Sequence, residues 1–189
     1  MTTLPDWHLS STRRILNTLA EILNDIDFEL QTAEQQYQID DAIDQAENVL
    51  GLAFVAAQVY ITSTIGKLAR THTHASPINK HESVKEFGEP IKGSKVTDVQ
   101  LADAAANYYK HHDERDDITK PDRHTRTLKV LHDAGVDTSE PYPCVQVGEL
   151  LFPPPSPQYL QTLLHMLTRW RERQVAAIGN PSPQAGPAT

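Results

Sequence analysis

Residues 104–114 read AAANYYKHHDE, a stretch rich in side chains that handle protons and phosphates. At about 100° per residue of α-helix, Asp103, Asn107, Lys110, His111 and Glu114 fall within one arc of roughly 100°. Leu101, Ala104, Ala105, Tyr108, Tyr109 and His112 lie on the other side, so the two adjacent histidines are expected to differ. His112 points towards the core and His111 into the polar arc. Imidazole titrates near pH 6.5, so His111 can take or return a proton near neutrality. The Lys110 ammonium can stabilise negative charge, and Asn107 can orient a phosphate through hydrogen bonds. A stable solvated face is more often built of glutamate and lysine spaced four apart, although a solvated arc opposite a satisfied core histidine stays open as the plainer alternative.

Other chemistry-bearing groups are more scattered. His72 and His74 form a His-x-His pair, with His81 further on. A zinc-type site needs three or four convergent ligands, and nothing local fixes these histidines together, so they are expected to be exposed loop residues. Lys80, Lys85, Lys92 and Lys95 bring residues 71–97 to +1, against −6 for residues 1–70 and −3 for residues 98–189. That contrast marks the segment as a place for an anionic partner to approach, or simply as a solvated loop. Cys144 has no second cysteine and no activating base near it in sequence. Phosphate-cradling glycine loops, paired-cysteine zinc spacings and serine-nucleophile elbows are absent, and no cofactor is expected.

The segments GLAFVAAQVYIT (51–62) and AANYYKHHDE (105–114) resemble a group of bacterial helical proteins of unassigned function. The second segment also resembles, more distantly, the HEPN superfamily of helical-bundle ribonucleases. There an arginine, the polar residue directly after it and a histidine four to six residues from the arginine lie on one helix and meet their copies across a dimer interface. On this chain Asn107 matches the polar position and His111 the histidine, while Ala106 stands where the arginine belongs. Lys110 is the cation nearest to replacing it. A second, looser match to the same spacing pairs Arg126 with His132.

The resemblance implies metal-independent RNA cleavage of the toxin or phage-defence type by a homodimer, with an antitoxin as the natural protein partner. His111 would move the proton, Lys110 would offset charge on the phosphate, and Asn107 would orient it. The alternative is a non-catalytic helical module that docks a protein partner through the polar helix face or the long loop.

Composition limits both readings. The chain has 189 residues with 17 basic and 25 acidic side chains, a net charge of −8. That balance opposes general coating of nucleic acid and leaves room only for a specific RNA in a local cationic pocket. One cysteine excludes a disulfide scaffold. The N-terminus lacks the apolar core of a secretory signal, and the most apolar run, residues 49–61, is shorter than the roughly 20 residues that cross a bilayer. A cytoplasmic protein without a membrane segment is expected.

The elements that would position the site are helices. A possible cap at Ser10 or Ser11 precedes Ile15, Leu16, Leu19, Ile22 and Leu23 at helical spacing, while residues 27–38 are ambiguous. From Ile39 to Leu68 apolar residues recur at i, i+3, i+4 and i+7, giving a long central helix whose second half should be covered on most sides. Gly51 inside it costs about 1 kcal/mol relative to alanine, so a neighbouring backbone is expected to approach there. Residues 71–97 lack periodicity and are read as a long polar loop, mobile or disordered. Thr97-Asp-Val-Gln100 matches a capping box opening a helix to about Asp113. A short helix over 125–134 ends at Gly135 in a left-handed cap. Residues 136–155, with five prolines, are read as a loop in which 145–152 has some edge-strand character. Ser156 and Pro157 open the last helix, to Ala177, and residues 180–189 form a disordered tail. The expectation is one all-α domain over residues 1–179, a bundle of four or five helices.

Overall fold

A computed structural model describes residues 6, 8–71, 79–111, 121–152 and 159–179. The described residues form an all-α bundle of seven helices: α1 (Leu9–Thr32), α2 (Gln36–Thr71), α3 (Lys80–Glu86), α4 (Asp98–His111), α5 (Pro121–Asp133), α6 (Pro143–Leu151) and α7 (Tyr159–Gly179). The expected long central helix is α2. Its Ala53, Phe54, Ala57, Tyr60 and Ile61 are almost wholly buried, and α1, α4, α6 and α7 pack around it. By length and composition α2 could cross a bilayer, yet 61% of its most apolar stretch is buried inside the bundle.

The first helix is longer than its apolar repeat implied and swallows much of the ambiguous stretch. It opens at Leu9, whose N–H donates to the Asp6 carboxylate at 3.1 Å, so neither Ser10 nor Ser11 is its cap. It stops at Ala33, which is extended at φ −63° and ψ 125°. There the Gln38 side-chain oxygen accepts from the backbone N–H groups of Glu34 and Gln35, both at 3.0 Å, satisfying donors in the turn just ahead of α2. A connection this short makes α1 and α2 an antiparallel pair. Ile26, Ala42 and Val49 form a small apolar cluster between them.

Two segments read as loops carry helices, which raises the count from four or five to seven. In 71–97, Asn79 caps α3 by accepting from the His81 N–H at 2.9 Å. Buried partners hold α3 in place. The Ser83 hydroxyl donates to Gln174 Oε1 at 2.7 Å, the Trp170 indole donates to the Ser83 carbonyl at 3.1 Å, and the Thr97 hydroxyl donates to the Val84 carbonyl at 2.6 Å. A single antiparallel bridge joins Pro90 and Thr97. Residues 79–97 are therefore a structured part of the bundle, because a handful of long-range hydrogen bonds replaces the missing apolar periodicity. In 136–155, residues 143–151 form α6 rather than an edge strand. Both Glu47 carboxylate oxygens reach across from α2 to accept from the N–H groups of Cys144 and Val145, at 3.0 and 2.9 Å.

The glycine closing α5 behaves as its sequence predicts. Gly135 has φ +93°, Val136 N–H donates to the Leu131 carbonyl and Gly135 N–H to the His132 carbonyl, both at 2.9 Å. This is a Schellman ending. The Ser156–Pro157 cap, the tail after Gly179, and His72, His74 and His112 to Glu114 lie outside the described residues.

Candidate functional site

The polar arc of α4 is directed at α2. Gln58, buried in the middle of α2, donates its amide to Asp103 Oδ1 at 2.8 Å, to Asn107 Oδ1 at 3.0 Å and to the Asp103 carbonyl at 3.3 Å. Its side-chain oxygen accepts from the Lys110 ammonium. Lys80, at the start of α3, adds an ion pair with Asp103 Oδ1 at 2.6 Å. Asn107 and Lys110 are thus brought together as expected, joined by three groups that sequence reasoning did not assign to the site: Gln58, Lys80 and Asp103 as a hydrogen-bonding member. Burial of the Lys110 ammonium and the nearby charge of Lys80 lower its pKa, and Asp103 partly opposes this. The only trace of this in the sequence is the polar Gln58 within an apolar run.

The remaining expected residues divide. His111 is exposed at the last residue of α4. Ala106, standing where the HEPN arginine would be, is 0% exposed and packed in the main core. Of the looser pair, Arg126 and His132 are both exposed on α5, and a His132 ring nitrogen lies 2.9 Å from the Thr138 hydroxyl. Cys144 is buried in the first turn of α6, within the main core. Among the described residues no three His, Cys, Asp or Glu side chains converge on a point.

On the other side of α4 the two tyrosines build something different. Tyr109 lays its ring on Gly51, where a Cβ would lie 2.2 Å from Tyr109 Cδ2, so the close approach anticipated at this glycine is made by a side chain rather than a backbone. The Tyr109 hydroxyl donates to Asn48 Oδ1 at 3.2 Å. Tyr108, Tyr109 and Tyr142 line a cavity of about 250 Å³ together with Glu47, Asn48, Glu140, Pro141 and Pro143. Tyr142 sits at φ 67° and ψ 49°, left-handed, immediately before α6, a conformation that costs a non-glycine residue on the order of 1–3 kcal/mol. Its hydroxyl is pushed up by a hydrogen bond to Asp44, by burial and by the charges of Asp44, Asp40 and Glu47. The Tyr109 hydroxyl is likewise raised, by burial first and then by Cys144 and Glu47.

A third feature lies on α2 itself. Its second half is covered on most sides, as its apolar residues imply, but one narrow apolar face stays open: Leu52 is 49% and Val59 60% exposed. They lie seven residues apart on one face, with half-buried Val55 and Ala56 between them and exposed Thr62 beyond. No charged residue occurs in α2 between Glu47 and Lys67.

Comparison of the chain with protein-family models, with curated proteins and with solved structures finds no match.

Proposed function

We propose that the protein is a non-catalytic helical interaction module, cytoplasmic, whose docking surface is the uncovered face of α2 and whose first partner is a second copy of itself. The observation that carries this reading is the exposure of apolar Leu52 and Val59 on a stretch of α2 whose other faces are buried in the bundle. A two-fold contact places each residue against a copy of the same patch. On a chain of net charge −8, a patch without charge can meet its copy without repulsion, whereas the acidic remainder cannot. The network around Gln58 supports the same reading from the other side. It engages Asn107 and Lys110 in holding α4 on α2.

Sedimentation velocity tests the proposal directly. The wild type is expected to be a dimer, and Val59→Glu a folded monomer with an unchanged far-ultraviolet circular dichroism spectrum. A wild type that stays monomeric at its highest soluble concentration overturns the self-association.

A second reading, the dimeric HEPN-like ribonuclease of toxin or phage-defence type with its antitoxin, is favoured by one observation. Lys80 pairs with Asp103 and Lys110 lies near both charges, while His111 stands exposed at the end of α4. In that case His111 removes the proton from a ribose 2′-hydroxyl and Lys110 offsets charge on the phosphate. Incubation of RNA with the pure protein in the presence of a chelator separates the readings. Cleavage by the wild type that His111→Ala abolishes establishes the nuclease; intact RNA with both proteins removes that reading.

A further inference from the structure

The cavity between the N-terminal half of α2, the end of α4 and the start of α6 is separate from both the α2 face and the Gln58 network. It is lined by three tyrosines, Tyr108, Tyr109 and Tyr142, by Asn48 and by two prolines. Its ionisable groups besides the phenols are the carboxylates Glu47 and Glu140, and no cationic side chain lines it among the described residues. Aromatic faces carry negative charge density and attract a cation laid against them, more strongly where water is excluded. Carboxylates beside such rings add a field of the same sign, and the charges of Asp44 and Asp40 also reach the Tyr142 hydroxyl.

The walls are also held in place before any ligand arrives. Tyr109 is seated on Gly51 and tied to Asn48. The strand of chain carrying Tyr142 is bolted to α2 through Glu47, which binds the first two N–H groups after Pro143. The left-handed backbone at Tyr142 persists in a residue type that disfavours it, where glycine would adopt it without strain. That choice retains an aromatic ring at the cavity wall at the expense of local backbone comfort.

We infer that this tyrosine-walled acidic cavity is a binding site for an organic cation of the alkylammonium class. A volume of about 250 Å³ falls below the roughly 300–1,000 Å³ of sites for drug-sized ligands. It therefore takes a cationic head group rather than a whole cofactor. The head group can belong to a small free quaternary ammonium or to a methylated lysine side chain of a partner.

Nuclear magnetic resonance titration of the full chain with tetramethylammonium chloride, against sodium chloride at equal ionic strength, tests the site. Saturable shifts are expected at the amides of Asn48, Tyr109 and Cys144, absent with sodium. Tyr142→Gly keeps the left-handed backbone and removes the ring, and should weaken binding about tenfold; Glu140→Gln, on the exposed rim, should weaken it about threefold. A peptide bearing one trimethyllysine then distinguishes the source. Tighter binding than tetramethylammonium assigns a partner's side chain, and equal or weaker binding assigns a small free cation. Absence of saturable shifts, or shifts unchanged in Tyr142→Gly, overturns the inference.

Discussion

The ring of Tyr109 occupies the space that a side chain at Gly51 would need: a Cβ there would lie 2.2 to 2.5 Å from Cδ2, Cε2 and Cγ of the ring. Because Cγ is among these atoms, the ring cannot clear the methyl by swinging its tip. Gly51→Ala gains about 1 kcal/mol of helix propensity but overpacks the contact by about 1–3 kcal/mol, so a net loss of stability is expected in urea unfolding. In a Tyr109→Ala background the sign reverses and Gly51→Ala becomes stabilising. The sum of the two single effects will therefore misstate the double variant, and the difference measures the contact.

Gln58 is the keystone of the α2–α4 contact, and its removal leaves Asn107 and Lys110 without their partner. Gln58→Leu is expected to cost about 1–3 kcal/mol, the usual penalty for stranding a partly buried polar group. Guanidinium unfolding with circular dichroism detection reads this loss.

Tyr60 gives the fold an alkaline limit. An unfolded tyrosine ionises near pH 10, while burial, the hydrogen bond to Asp6 and the charge of that carboxylate raise the folded hydroxyl well above this, with Arg171 partly opposing. The folded state keeps a proton that the unfolded chain releases. Its contribution to stability is full below about pH 10 and is lost as the pH rises beyond it. Unfolding free energies measured between pH 8 and 11 should fall more steeply for the wild type than for Tyr60→Phe, and absorbance titration should show one tyrosine ionising only on unfolding.

At the end of α5, Gly135 holds φ +93° with open space around the position of a Cβ. The cost of substitution is thus purely that of the backbone. Gly135→Ala should lower stability by about 1–2 kcal/mol, and Gly135→Asn by less, since asparagine tolerates the left-handed region better. Thermal unfolding of the two variants gives the comparison.

The helices whose burial repeats along the chain were legible: α2 from its apolar spacing, α4 from the contrast between its two faces, α5 from its closing glycine, and the body of α7. The elements that escaped, α3 and α6, are short and owe their place to single distant groups. Ser83 needs Gln174 and Trp170, and the first turn of α6 needs Glu47. No local pattern encodes such pairings. The helical wheel grouped Asn107, Lys110 and Asp103 correctly but left open what they face, because their partner is Gln58, forty-nine residues before Asn107. The capping box at Thr97 is half realised. Thr97 Oγ1 accepts from the Gln100 N–H at 3.2 Å, while Gln100 Oε1 is buried without a hydrogen-bond partner.

Asp6 joins elements that are far apart in the chain. One oxygen receives the first N–H of α1, and the other receives the Tyr60 hydroxyl of α2 and lies 3.3 Å from the Arg171 guanidinium of α7. A single carboxylate just ahead of the first helix is thus a clasp on the last one. Trimming the chain to begin at Leu9 would loosen α7, so fraying of the two outer helices is coupled and a truncation at one end will be felt at the other.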